Sequence, residues 1–243
     1  MSAVTGDGRR ASRRLDGLSL SPTAQIGVLF FFSGFAALLY QLIWQRSLFR
    51  ILGVNIEAVT IVVTAFMVGL GLGSLAGGFL SRRLEGRAIA VLAAIEAVTA
   101  AFGAFSLSIF EAAGAAVAGA DLPVVAGVAL GLVIVPTLLM GATLPILVAH
   151  MARATGLTGQ AVGYLYYVNT IGAAVACAAA ALFVFPFVGM QTAVLLAVSI
   201  NVLVSLFAIR LHMRGAGCAG RPGVASARTP AGARGPVALS MRA

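Results

Sequence analysis

Residues 56–83 read IEAVTIVVTAFMVGLGLGSLAGGFLSRR. From Ala58 to Ser81 no side chain is charged, and Arg82 and Arg83 then follow at once. A bilayer core roughly 30 Å thick is crossed by about 20 apolar residues in helical form. A lone strand in lipid would leave its backbone groups unpaired, whereas a helix pairs its own. The stretch therefore reads as a membrane-crossing helix. Five other runs read the same way, and the six spans fall near 24–45, 56–80, 88–110, 122–149, 160–185 and 190–211. The predicted fold is all-α: a polytopic membrane bundle of about six transmembrane helices.

Composition points to the same solvent. Of 243 residues, 60% are hydrophobic and 9% charged, with a mean hydropathy of +1.05; a soluble domain carries roughly 25% charged residues. The net charge is +9, and all 16 basic residues are arginine. They lie in the ends and short loops between apolar runs. That placement is a topology signal and argues against nucleic-acid binding. Cys177 and Cys218 form no disulfide framework and no metal spacing.

Three regions follow. Residues 1–23, with Arg9, Arg10, Arg13 and Arg14, read as a basic, disordered cytoplasmic tail. The apolar run behind them is too long for the core of a secretory signal. Residues 24–211 form the six-helix domain, and residues 212–243 read as a second disordered cytoplasmic tail, rich in Gly, Ala, Pro and Arg. Arg82, Arg83, Arg87 and Arg153 mark two loops as cytoplasmic, together with Arg210 and Arg214 at the last helix end. Arg46 and Arg50 dissent. The count by loop predicts a cell (inner or plasma) membrane protein with both termini in the cytoplasm.

Within the membrane, Gly69, Gly73 and Gly77 recur at four-residue spacing, a pattern that lets two helix backbones approach closely. Glu96 lies deep in the third run, where a charge costs at least ~2.5 kcal/mol. Its helical neighbours Ala93, Thr99, Ala100 and Gly103 make a small, partly polar face suited to the bundle interior. It is a candidate proton-coupling group or counter-ion for a cationic ligand, and equally a carboxyl that ties helices together. In the first run Gln41 and Gln45 share a face, with Tyr40 and Trp44 beside it as pocket residues or interface anchors. The fourth run holds Pro136, Thr137, Thr143 and Pro145. Each proline frees a carbonyl four residues back, so a broken or kinked helix is expected at Pro136 and Pro145. The fifth run adds Tyr166 and Asn169. The candidate substrate-binding set is Glu96, Gln41, Gln45, Tyr40, Trp44, Thr137, Thr143, Asn169 and Tyr166. No catalytic constellation, metal cluster or cofactor motif can be assembled.

Several strings resemble a known family. SGFAALLYQLIWQR at 33–46, GLGLGSLAGGFLSRR at 69–83, PTLLMGATLPIL at 136–147 and VGYLYYVNTIGA at 162–173 resemble the membrane portion of fused spermidine synthases, the polyamine aminopropyltransferase-like proteins. That portion is in turn similar to one half of a major facilitator transporter. The resemblance implies a half-facilitator fold. It also points toward transport or binding of a small cationic metabolite such as a polyamine. Full-type members carry a soluble synthase domain after the helices; residues 215–243 are too few and show no nucleoside motif, so the aminopropyltransferase activity is not expected of this chain. The loop at Gly78–Arg83 also departs from the facilitator pattern, with Arg82 where an acid is usual. Beyond the lipid bilayer, the expected partners are a second copy of the chain or a separately encoded aminopropyltransferase that the helices anchor or regulate. A truncated fusion is a further alternative.

Overall fold

A computed structural model describes residues 21–84 and 86–219, the last five as backbone only. Of the expected tails, 1–23 and 212–243, residues 1–20 with their four arginines and residues 220–243 lie outside the described residues, while 22–23 and 212–219 are helical. The chain forms α1 (Pro22–Leu52), α2 (Ile56–Arg83), α3 (Ala88–Ala116), α4 (Leu122–Thr155), α5 (Thr158–Phe187) and α6 (Gly189–Ala219). All six are long and apolar enough to cross a membrane, and no strand occurs among the described residues.

The helices outrun the apolar spans. α1 continues from 45 to Leu52, α4 from 149 to Thr155, and α6 past the expected end at 211 to Ala219. Hydropathy marks only the part of a helix that lies in lipid, while backbone pairing continues until a local signal stops it. Those signals sit at the helix ends. Ser21 Oγ accepts from Ala24 N–H (3.2 Å) ahead of Pro22, and Asn55 Oδ1 accepts from Ala58 N–H (2.7 Å). α4 ends on Gly156, whose left-handed backbone (φ 73°) lets its N–H reach Ala152 O at 2.8 Å.

Packing proceeds by close-fitting pairs. α2 lies chiefly against α4. A Cβ at Gly73 would collide with the Leu138 carbonyl, one at Gly77 with that of Ala142, and one at Gly141 with that of Leu70; at Gly69 it would meet the Thr137 hydroxyl. The register rises together along both helices, so the pair is parallel. α1 and α5 form a second parallel pair, with Gly27 against Tyr164, Gly34 against Asn169 and Gly172 against the Phe31 carbonyl. α3 packs on α6, tied by Ser205 Oγ donating to Ala93 O (2.8 Å). At the end bearing the α2–α3 and α4–α5 connections, Arg153 donates to Ser81 O (2.6 Å) and joins α4 to α2.

The outer face is apolar. Leu75, Phe79, Phe105 and Leu203 are each more than 60% exposed. A helix that is apolar on its outside as well as its inside is a membrane helix. An even number of crossings brings Pro22 and Ala219 to the same end of the bundle.

The break expected at Pro136 and Pro145 is absent: α4 runs as one helix through both. Proline's fixed φ is itself helical, so the cost falls on local hydrogen bonding. Thr137 Oγ1 donates to Val133 O (2.6 Å) and Ile134 O (3.1 Å), and Thr143 Oγ1 to Met140 O (2.7 Å). The irregular turn lies in α5, where Ala180–Val184 is π-helical just before Pro186. There Phe185 N–H reaches back to Ala180 O, and the Arg46 guanidinium sits 3.7 Å from the Phe185 ring centroid.

Candidate functional site

Glu96 stands on the inner face of α3 and is 3% exposed. Ser33 on α1 donates its hydroxyl to Glu96 Oε1 at 2.5 Å. Around this pair is a cavity of about 380 Å³ to which all six helices contribute, a volume suited to a small molecule. α1 supplies Ser33 and Gln41, α2 Ser74, α3 Glu96 and Thr99, α4 Thr137 and Thr143, α5 Tyr166 and Asn169, and α6 Asn201. Glu96 is the one charged group among these lining residues.

Three of the hydroxyls present acceptors to the cavity. The hydroxyl hydrogens of Ser33, Thr137 and Thr143 are committed to Glu96 or to backbone carbonyls. Their oxygens keep lone pairs. Asn201 Oδ1 is buried and has no partner. Close approach of α2 to α4, enforced by the glycine contacts, brings Thr137 and Thr143 to the same space as Glu96. The close α1–α5 contact at Gly34 places Asn169 there too.

Six of the nine candidate residues therefore meet: Glu96, Gln41, Thr137, Thr143, Asn169 and Tyr166. Three do not. Tyr40 and Trp44 are fully buried core residues, stacked at 4.9 Å, and Trp44 also packs edge-on against Phe102. They neither line the cavity nor anchor at an interface, because α1 continues two turns beyond Trp44 to Leu52. Gln45 is half-buried and lies off the cavity. Sequence reasoning left Ser33, Ser74, Thr99 and Asn201 out of the candidate set. Asn201 was open to detection, as an amide within an apolar helix needs a partner; a serine sends no such signal.

A second cavity, about 700 Å³, opens at the end of the bundle carrying the α1–α2, α3–α4 and α5–α6 connections. Its rim includes Ser47, Arg50, Glu111 and Gln191.

Six spanning helices around a lone carboxyl in a polar-lined cavity define a multi-pass membrane protein with an internal polar site. Among known proteins, the chain is 31% identical over 173 residues to polyamine aminopropyltransferase 2 of Streptomyces coelicolor. The alignment covers 69% of this chain and 30% of that protein, so the chain spans less than a third of its relative's length. The similarity agrees with the aminopropyltransferase side of the resemblance carried by the sequence strings. No protein-family profile matches the chain, and no solved structure matches it.

Proposed function

We propose that the chain binds a small organic cation of the polyamine class in the Glu96 cavity, as a transport-type membrane protein. The observation that carries this reading is a buried carboxyl, lone among the lining residues, in a cavity where the Ser33, Thr137 and Thr143 hydroxyls have spent their hydrogens. An ammonium group has three donors and no acceptor, which complements such a lining. A charge in the membrane interior is expensive and typically marks a pathway or binding site. The similarity to a polyamine aminopropyltransferase supplies the substrate class.

The full chain in detergent is challenged with spermidine and putrescine while unfolding is followed by intrinsic fluorescence. A ligand at 100 times its Kd stabilises the folded state by about 2.7 kcal/mol. Glu96→Gln, which keeps an acceptor for Ser33, is expected to abolish that gain. Liposome uptake of labelled spermidine then separates transport from binding. Absence of stabilisation by either amine, or the same stabilisation in the Gln variant, defeats the reading.

A second reading is that the helices anchor or regulate a separately encoded aminopropyltransferase. It is favoured by the match to less than a third of a named enzyme of that class. Affinity purification from native membranes decides it: no soluble synthase in the eluate removes it. The distribution of arginines by loop supports a cell-membrane location with both termini cytoplasmic, and fusion of a reporter after Arg214 tests that side.

A further inference from the structure

Among the described residues, five buried side-chain polar atoms have no hydrogen-bond partner: Tyr40 Oη, Trp44 Nε1, Ser47 Oγ, Thr99 Oγ1 and Asn201 Oδ1. Folded proteins leave few such groups unpaired, and in a membrane no bulk water relieves them. All five lie on α1, α3 and α6. None lies on α2, α4 or α5.

Their placement is ordered. α1 and α3 run parallel with a constant offset of 63 residues: Ser33 bonds Glu96, Tyr40 faces Gly103, and Ile51 faces Gly114. On that register Glu96 is level with Ser33, and Thr99 is level with residue 36. Tyr40, Trp44 and Ser47 follow toward the larger cavity. At 1.5 Å rise per residue their levels along the helix axis are spaced by about 4.5, 6, 6 and 4.5 Å, which the reach of each side chain lengthens or shortens. A water joining two polar atoms through two hydrogen bonds spans about 5.5 Å. The series starts at Glu96 in the central cavity and ends at Ser47 on the rim of the larger one. α1 and α3 touch each other less closely than either touches α6, so the gap between them is bridged by the long side chains of Tyr40 and Trp44.

The seam is different on the other side of Glu96. Toward the chain termini Ile26, Leu29, Phe30, Ile89 and Leu92 pack into a buried apolar cluster. The buried hydroxyl near it, Ser205, is satisfied by Ala93 O. Both directions from Glu96 are lined by buried apolar side chains, but unpaired polar groups occur among them only on the side that holds Leu39, Ile43, Leu48 and Phe110.

We propose that a file of internal waters occupies the α1–α3–α6 seam and connects the larger cavity to Glu96. Protons reach the carboxyl along it from the end bearing Arg50 and Glu111. A proton taken up there becomes the O–H of the Glu96 carboxyl, and its release restores the carboxylate; no other bond changes. From the function proposed above this takes only that Glu96 exchanges protons, whatever the ligand.

Hydroxyl-radical footprinting of the full chain in lipid nanodiscs reads the waters directly, by mass spectrometry of oxygen incorporated from solvent. After correction for intrinsic reactivity, Tyr40 and Trp44 are expected to be modified ~5-fold or more faster than Leu92 and Leu165, the contrast between a side chain beside an internal water and one without. All four are fully buried. Thr99→Val and Ser47→Ala each remove one station with little change in volume and are expected to lower Trp44 modification ~2-fold or more. Rates for Tyr40 and Trp44 equal to those of the two leucines in the unaltered protein would show a dry seam and end the proposal. An unchanged Trp44 rate in both folded variants would also end it, since the waters would not be held by these groups. Footprinting is indifferent to amine binding, so a dry seam leaves the Glu96 ligand site standing, and absent amine binding leaves the seam intact.

Discussion

The tight α2–α4 contact makes a prediction whose sign changes within one helix turn. A Cβ at Gly73 would strike the Leu138 backbone, whereas one at Gly71 would meet nothing within 4 Å. Both glycines are interior to α2, so Gly→Ala at either gains up to about 1 kcal/mol of helix propensity. At Gly73 the added methyl also forces two backbones apart, and overpacking of a close-fitted contact costs about 1–3 kcal/mol. Backbone cannot rotate away as a flexible side chain can, which favours the upper part of that range. The difference between the two variants therefore isolates the overlap. For a chain of this size 1 kcal/mol moves Tm by about 2–4 °C, so Gly73→Ala should melt roughly 2–12 °C below Gly71→Ala. Differential scanning fluorimetry of both proteins in one detergent measures it. Equal melting temperatures, or a lower one for Gly71→Ala, would refute the parallel glycine-mediated pairing of α2 with α4.

Ser33→Ala strips the Glu96 carboxyl of its donor and is expected to destabilise by about 1–3 kcal/mol; Ser33→Thr keeps a hydroxyl and should recover most of that, and equal losses would argue against the Ser33–Glu96 bond. Arg153→Ala removes the guanidinium donor to Ser81 O. Because the side chain is exposed, the expected loss is about 1 kcal/mol or less, seen as faster proteolysis at the α2–α3 loop; an unchanged cleavage rate would show that the tie holds nothing. Cys177 is exposed near the middle of α5. In proteoliposomes it should react with a small apolar maleimide and resist a sulfonated one, and rapid reaction with the charged reagent would contradict its placement against lipid.

How much of this was legible in the sequence depends on which force sets each feature. The six helices are written in the apolar runs, since lipid accepts no other open backbone arrangement. Their ends are not, because α1 keeps its pairing through Arg46 and Arg50 until Gly53. That error in length misplaced Trp44: with α1 ending near 45 it sits at an interface, and with α1 ending at Leu52 it is buried two turns deep. Glu96 was legible because a charge in an apolar run is costly wherever it falls. Its partner was not. Ser33 lies 63 residues away, and a serine is equally at home in lipid-facing, buried and loop positions. The prolines of α4 pointed toward a break because a local reading counts the lost N–H but neither the helical φ that proline shares with its neighbours nor α2 packed alongside.

The parallel pairings carry a consequence for how the chain is made. Helices that cross in the same direction cannot be neighbours in a hairpin, so α1 must wait for α5 and α2 for α4. Gly34 and its contact Asn169 are separated by 135 residues (169 − 34). At 5–20 residues per second of synthesis, about 7–27 s pass between the emergence of the two from the ribosome. During that interval the small-residue face of α1 that bears Gln41 has no α5 to meet, and shielding it falls to the insertion machinery and the lipid beside it.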